Sequence, residues 1–567
     1  MKLKMILLAA AVALSTATLA GCSDGETAPA DDGTTTTSST AAEKEETTTT
    51  TTRPEEPAIE FVDVPEEDFE WDFYESLDQV GVTKYNGSEE YIRVPSTIGG
   101  YSVAHIAIDT PYEFAFAEGT ESILSYSFYQ SAIVNVVIPD GVTEIGYSAF
   151  EGCKNLTSVT IPGSVATIYG QAFLGCEALT SITIEEGVTE IRESAFKLCS
   201  RVTELTIPDS VTIIGPQAFC NSLNMESLVI PGGITEIADM TFYGCGISSV
   251  TIPNSVTKIG EEAFRRSSLA SIVIPDSVTE IGGYAFSECY GLTSADISGS
   301  IKEIPSGAFS DSWHLTSVNI FDGITVIGEH AFDGCFNIET VDIPDSVTVI
   351  GDGAFEDCTF LSSVTIPENV TYLSGFSGCT ALTDINIPGS VTELGDRAFQ
   401  GCTGLTDITI PDSVTVIGVG AFALCTGLTE LNIPNSVTTV GTNAFSSCTG
   451  LTELIIPNSV TEIGYSTFSG CEGLTSLTLS ESVTRIGLGA FANCTSLTKI
   501  TIPNSVTEIG HVVFDSCTSL TDVVIPASVI EIGDNIFKNC SNVTLHCSAG
   551  SIAEQYAIEN DIPYTTI

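Results

Sequence analysis

Basic residues are scarce in this chain. Eighteen Lys and Arg stand against 73 Asp and Glu, leaving a formal net charge of −55 over 567 residues. That balance argues against nucleic acid and anionic membrane surfaces as partners, and favours cations or basic proteins. Histidine occurs only five times, at His105, His314, His330, His511 and His546, with no shared spacing and no HExxH pair. His330 and His511 fall at variable corner positions and are expected to be exposed. No repeated GxSxG element, Walker loop or dinucleotide fingerprint occurs, which removes the usual nucleophilic and nucleotide-dependent chemistries. Long hydrophobic runs are absent apart from Ile6 to Leu19.

That run follows Lys2 and Lys4 and ends in Leu19-Ala20-Gly21-Cys22. It is too short to span a bilayer as a mature helix, and it has the order of a signal peptide. The four-residue ending resembles a bacterial lipobox. The resemblance implies cleavage after residue 21 and a lipid on Cys22, so residues 1–21 read as a lipoprotein signal. Residues 22–55, rich in Thr, Ser and acids, read as a disordered tether. From Glu55 to Asp78 there are eleven acids and no base, with aromatics among them. Residues 56–127 are expected to form an acidic segment and an irregular N-terminal cap.

The rest of the chain repeats. Phenylalanine recurs at Phe128, Phe150, Phe173, Phe196, Phe219, Phe242, Phe264, Phe286, Phe309, Phe332, Phe355, Phe376, Phe399, Phe422, Phe445, Phe468, Phe491, Phe514 and Phe537, mostly 23 residues apart. Helical-pair repeats need more than about thirty residues, whereas this period fits a coil of short strands and turns. In Leu156 to Cys176, Val159 and Ile161 point inward between outward threonines and serines. Pro162 then ends the strand, since it has no amide to donate. Fourteen copies carry Ile-Pro here; Glu185, Ser298, Phe321 and Ser480 depart from it. Stacked copies put like residues about 4.8 Å apart. The phenylalanines are therefore expected to form one buried column. The serine of the PDSV or PGSV corner, such as Ser164 or Ser210, is expected to cap backbone groups between coils.

The unit L-T-S-V-T-I-P-x-S-V-T-x-I-G-x-x-A-F-x-x-C resembles the BspA-like leucine-rich repeats of bacterial surface proteins, over about residues 80–567. The segment from Cys547 also resembles that family's closing segment. The resemblance implies a mainly β leucine-rich-repeat solenoid of about 18–19 short coils. Tandem repeats would span 128–545, with a C-terminal cap at 546–567. It also implies a location outside the cytoplasmic membrane and, in some members, adhesion to host, matrix or microbial proteins. There is no LPxTG-type motif at the end of the chain, so the Cys22 lipid would be the anchor.

Fifteen cysteines fall three residues after the phenylalanine. Zinc sites use close CxxC pairs, whereas one thiol per coil makes a line and not a tetrahedron. The thiols read as small buried filler, with no metal and no cofactor assigned. Cys220 and Cys547 lie off that line and are the better candidates for oxidation. On the outward face of the first strand, most coils carry small hydroxyl residues, but four successive coils carry Asp384, Asp407, Glu430 and Glu453. Like charges stacked at strand spacing repel. This stripe is the candidate binding site, for a basic protein surface in preference to calcium, which needs six to eight oxygens. Aromatics are absent from that strand position, which weighs against a sugar platform. The expected function is non-enzymatic binding of an extracellular or surface protein. The alternatives are a structural spacer and a carbohydrate-binding module.

Overall fold

A computed structural model describes residues 62–63, 65–74, 79–85, 91–93, 97–98, 101–106, 112–116 and 120–567. The residues read as a signal segment and a tether, Cys22 among them, lie outside the described residues. The chain from residue 120 onward coils as its period requires. Each coil has three sides. The first is a short outward strand, as in Ser158–Ile161. The second is a two-residue strand, as in Thr167–Ile168. The third is a run of turns around the phenylalanine.

Coils stack in parallel and in register. Val159 pairs with Ile182 and Ile161 with Ile184; on the second side Ile168 pairs with Ile191. Alternation follows the pleat, since Val159 and Ile161 are buried and Ser158 and Thr160 exposed. On the third side the backbone bonds across coils as well: the Phe150 amide donates to the Ala172 carbonyl at 2.7 Å, and Phe173 to Ala195 at 2.7 Å. Residues two before and two after the phenylalanine take the left-handed conformation, including Ser148 at φ 52° and Leu198 at φ 62°. Such values in non-glycine residues carry strain. Up to the last coil they are held by bonds to the next coil, as where the Ser148 amide donates to the Gly170 carbonyl at 3.1 Å. The corner glycine has a different reason. A Cβ on Gly146 would lie 2.5 Å from the Ser125 amide nitrogen, so the backbones of adjacent coils meet there too closely for a side chain.

The phenylalanine rings form one continuous buried stack from Phe128 to Phe537. Neighbouring centroids are 4.8 Å apart at the start and up to 5.9 Å between Phe376 and Phe399. Planes are nearly parallel, 2° apart for Phe445 and Phe468. Centroid spacings beyond the strand repeat fit an offset stack, which the ring quadrupole favours. Both ends of the stack are covered. Phe114 and Phe116 meet Phe128 edge-on. At the far end the helix Ile552–Glu559, capped by Ser551, buries Ala553 and Ala557. Its Tyr556 stands edge-on to Phe537 and accepts the Ile536 amide at 2.9 Å.

The early segments extend the same sheet. Val62–Asp63, Tyr91–Arg93 and Tyr112–Ala115 pair in parallel and lead into Ile133–Val137. Phe69–Tyr74 and Gln79–Tyr85 form an antiparallel pair, and the Phe69 ring packs on Tyr85.

Two details add to or correct the sequence reading. The column thiols are more than filler. Each described one, such as Cys176, Cys402 or Cys425, donates its S–H to the phenylalanine carbonyl of the preceding coil, at 3.2, 3.1 and 3.0 Å respectively. Where Ser312 replaces the cysteine, its hydroxyl makes the same bond to Phe286 at 3.0 Å. The corner serines divide. Ser164 accepts from Gly141, and Ser210 accepts from Gly187 while donating to Val188. The hydroxyls of Ser255, Ser277, Ser413, Ser436, Ser459 and Ser528 are buried without a partner.

Candidate functional site

The sequence singled out Asp384, Asp407, Glu430 and Glu453, and all four are exposed. They do not all stand on strands. Asp384 opens the strand Asp384–Asn386 and Glu453 opens Glu453–Ile455. Asp407 and Glu430 lie on irregular backbone, where the two coils are joined on this face by the isolated bridge Thr409–Asn432 and by the Thr429 amide donating to the Thr406 carbonyl at 2.9 Å. The second side stays paired there, through Leu394–Ile417 and Ile417–Val440. Charge is not the general cause of such lapses, because the ladder also stops between Ser249–Thr251 and Ser271–Ile274, where no acid stands. Ile455, two residues beyond Glu453 on the same outward face, is two-thirds exposed.

Sequence reasoning missed a row of aromatics just before the strand. The residue after the column cysteine is usually Thr, Ser, Lys or Glu. In three successive coils it is Tyr290, Trp313 and Phe336, and the next coil carries Phe360 one position later. Ring centroids are 4.8 Å apart for Tyr290–Trp313 and 6.2 Å for Trp313–Phe336. Trp313 is 42% exposed and Phe360 58%. The signal was present in the sequence, at the column position plus one. These coils directly precede those of the acid stripe.

Beside Tyr290 lies an ionic knot. Arg266 Nε donates to Glu288 Oε2 at 2.8 Å, Arg265 Nε to Glu288 Oε1 at 3.0 Å, and the Tyr290 hydroxyl to Oε2 at 2.8 Å. Arg265 also lies over the Tyr284 ring and Arg266 over Tyr243. Burial pushes the Glu288 carboxyl up, but the bonds from Arg266, Arg265 and Tyr290 outweigh it and hold it at about 2. A carboxyl lowered from 4.5 stabilises the fold above that value, and the gain disappears as pH falls toward 2. Glu288→Gln should therefore lower the stability of these coils by about 2 kcal/mol at pH 7, with the difference from wild type closing as pH approaches 2. Hydrogen exchange of the coils around Phe286, followed against pH, checks this.

Among the hollows on the coil surface, two lie at departures from the repeat. One, of 1240 Å³, lies over Pro275, Asp276, Ser298, Phe321 and Asp322, where two successive coils depart from Ile-Pro at Ser298 and Phe321. The other, of 320 Å³, is lined by His330, Gly353, Glu356, Ser374, Gly375 and Arg397 among others. His330, expected to be exposed, has a side chain 45% exposed, with its Nδ1 turned in and buried beside Asp333 and Glu356. Burial, then the neighbouring Glu356 carboxylate, pushes the Asp333 carboxyl up to about 6.

All described cysteines are free. Cys220 and Cys547, expected to be open to oxidation, are buried; Cys540 is the one described thiol that is partly exposed. Burial pushes Cys425 and Cys471 up to about 12. Among the described residues no helix is long and apolar enough to cross a membrane.

Short parallel strands, one closed turn per repeat and a buried aromatic stack define a leucine-rich-repeat solenoid. The model for the BspA type leucine rich repeat region matches residues 121–245, 235–361, 325–452 and 417–544, and the chain belongs to that family. Similar solved structures include a leucine-rich repeat protein from Bacteroides ovatus. It is 25% identical over 88% of this chain and 98% of that chain, with a TM-score of 0.42. Another is a leucine rich cell surface protein from Faecalibacterium prausnitzii, 28% identical over 74% of this chain and 94% of that one, with a TM-score of 0.35. No curated protein matches the chain.

Proposed function

We infer that this chain is a non-enzymatic binding protein of the bacterial cell surface, held by a lipid on Cys22, whose solenoid flank engages a protein. The observation that carries the reading is the aromatic row Tyr290, Trp313, Phe336 and Phe360. Coil closure does not require it, since other coils close with Thr403 or Glu472 at the equivalent place. Exposed Trp and Tyr are the residues that most often anchor protein interfaces. A sugar chain is the poorer fit, because the rings are tilted by 45° and 31° to one another and offer no single flat platform. A spacer without a ligand has no use for exposed aromatics in consecutive coils. The cell-surface placement is supported by the lipobox-like start and by family membership.

The acid stripe would supply the electrostatic half of the contact, steering a basic partner toward the aromatic anchor. The test begins with recovery of a surface or matrix protein that binds the purified chain saturably. Trp313→Ala should then weaken affinity by tenfold or more. Changing Asp384, Asp407, Glu430 and Glu453 together to serine should leave the fold intact, slow association and flatten its salt dependence. Affinity unchanged in both variants would reject the reading.

A further inference from the structure

The step from Phe355 to Phe376 is the shortest in the array. Where other coils read Ile-Gly-x-x-Ala-Phe, this one reads Leu373-Ser374-Gly375-Phe376, so two corner residues are missing. The 320 Å³ hollow lies along that shortened corner, lined by Ser374 and Gly375 from the short coil and by Gly353 and Glu356 from the coil before it.

Three donor groups converge at its edge. His330 stands two residues before Phe332, and Asp333 one residue after it. Glu356 stands one residue after Phe355, so Asp333 and Glu356 share one position in consecutive coils. His330 Nδ1 lies 3.2 Å from Asp333 Oδ2 and 3.6 Å from Glu356 Oε2. One donor atom from each of the three lies within 4.8 Å of the other two. Nδ1 is buried and makes no hydrogen bond despite these short contacts. His511 is different, since its Nδ1 accepts the Asp534 amide at 2.8 Å.

Room for the His330 ring is provided by the next coil. Gly353 occupies the equivalent corner at φ 64°, and a Cβ there would come within 2.5 Å of His330 Nδ1 and Cε1. The surrounding field is negative, with Asp311 and Asp357 acting on the same Asp333 carboxyl.

Nitrogen and oxygen ligands about 2.0–2.2 Å from a tetrahedral metal lie roughly 3.3–3.6 Å from each other. The two measured separations, 3.2 and 3.6 Å, are close to that edge. One imidazole with two carboxylates is too poor in oxygen for calcium and is better matched to zinc or a related transition-metal dication. We propose that His330, Asp333 and Glu356 form a binding site for a zinc-like dication, with the hollow leaving space for a fourth donor. Without a metal, the same triad is a histidine ring lying between two carboxyl groups, and the experiment separates the two cases.

The full chain, stripped with chelator, is titrated with zinc by calorimetry in moderate salt and excess calcium. One high-affinity equivalent per chain is expected, together with a rise in melting temperature. His330→Ala, Asp333→Asn and Glu356→Gln should each weaken binding tenfold or more and abolish that rise, while circular dichroism and the metal-free melt stay close to wild type. Gly353→Ala removes no ligand atom but drives a Cβ against His330 Nδ1 and Cε1 and to 3.0 Å from Glu356 Oε2, and should weaken zinc in the same way. Cobalt should give the absorption of tetrahedral nitrogen and oxygen ligation without a thiolate charge-transfer band. Zinc uptake that is unchanged in His330→Ala, that disappears with salt or calcium, or that carries the thiolate signature with cobalt would overturn the proposal.

Discussion

Phe399→Ala should lose about 3–5 kcal/mol of local stability, the largest effect expected of any single substitution in the array. Its ring is fully buried, 5.9 Å from Phe376 on one side and 5.4 Å from Phe422 on the other. Truncation would leave a gap at the centre of three coils, with rigid backbone ladders on every side to resist collapse. The Phe399 carbonyl accepts the thiol of Cys425 and the amide of Cys402, so any shift of backbone into the gap also disturbs those bonds. A repeat array gains its stability from nearest neighbours, so the damage should be concentrated near the lost ring. Hydrogen exchange should accelerate by about two to four orders of magnitude in the coils around Phe376, Phe399 and Phe422, and much less near Phe150. A denaturant melt alone would blur this, because long arrays need not unfold as one unit.

The coil was legible because its determinants are local and repeated. Ile-Pro ends a strand wherever it stands, and a phenylalanine recurring once per period can be buried only if turns stack. The left-handed residues flanking each ring were hidden, because Ser148, Gln171 and Met240 carry no signature for that conformation. What selects it is the bond to the next coil, which one copy of the sequence does not reveal. The thiol bond was hidden for a similar reason. Composition marks the cysteine as buried, but its acceptor lies about 26 positions back, in another coil.

The candidate sites were less legible than the fold. The acid stripe could be read from one column, although the irregular backbone at Asp407 and Glu430 could not. The aromatic row needed the column position plus one. His330, Asp333 and Glu356 span two coils and two columns, and the useful clues were indirect: a shortened step between two phenylalanines and a glycine above the histidine. Departures from the repeat mark the hollows over Ser298 and Phe321 and beside Ser374 and Gly375, and those copies are where sites can be looked for in the sequence.

The most direct test of the whole account is the reactivity of the thiols in the native chain. Each closed coil that carries the column cysteine places its sulfur against a phenylalanine carbonyl of the preceding coil. Burial pushes Cys176, Cys402 and Cys448 well above the ordinary thiol value and Cys425 up to about 12. An exposed thiol has a pKa near 8.5, so at pH 8 the thiolate of a group near 12 is scarcer by roughly three orders of magnitude, before any steric protection is counted. A thiol reagent applied to the reduced native protein should label Cys22, where it carries no lipid, and leave the column silent except for slow reaction at Cys540, which is partly exposed although burial pushes its thiol up to about 12 as well. In guanidinium every cysteine should react. Rapid native labelling of several column cysteines, such as Cys176, Cys402 and Cys425 together, would contradict the closed coil and the aromatic stack with it.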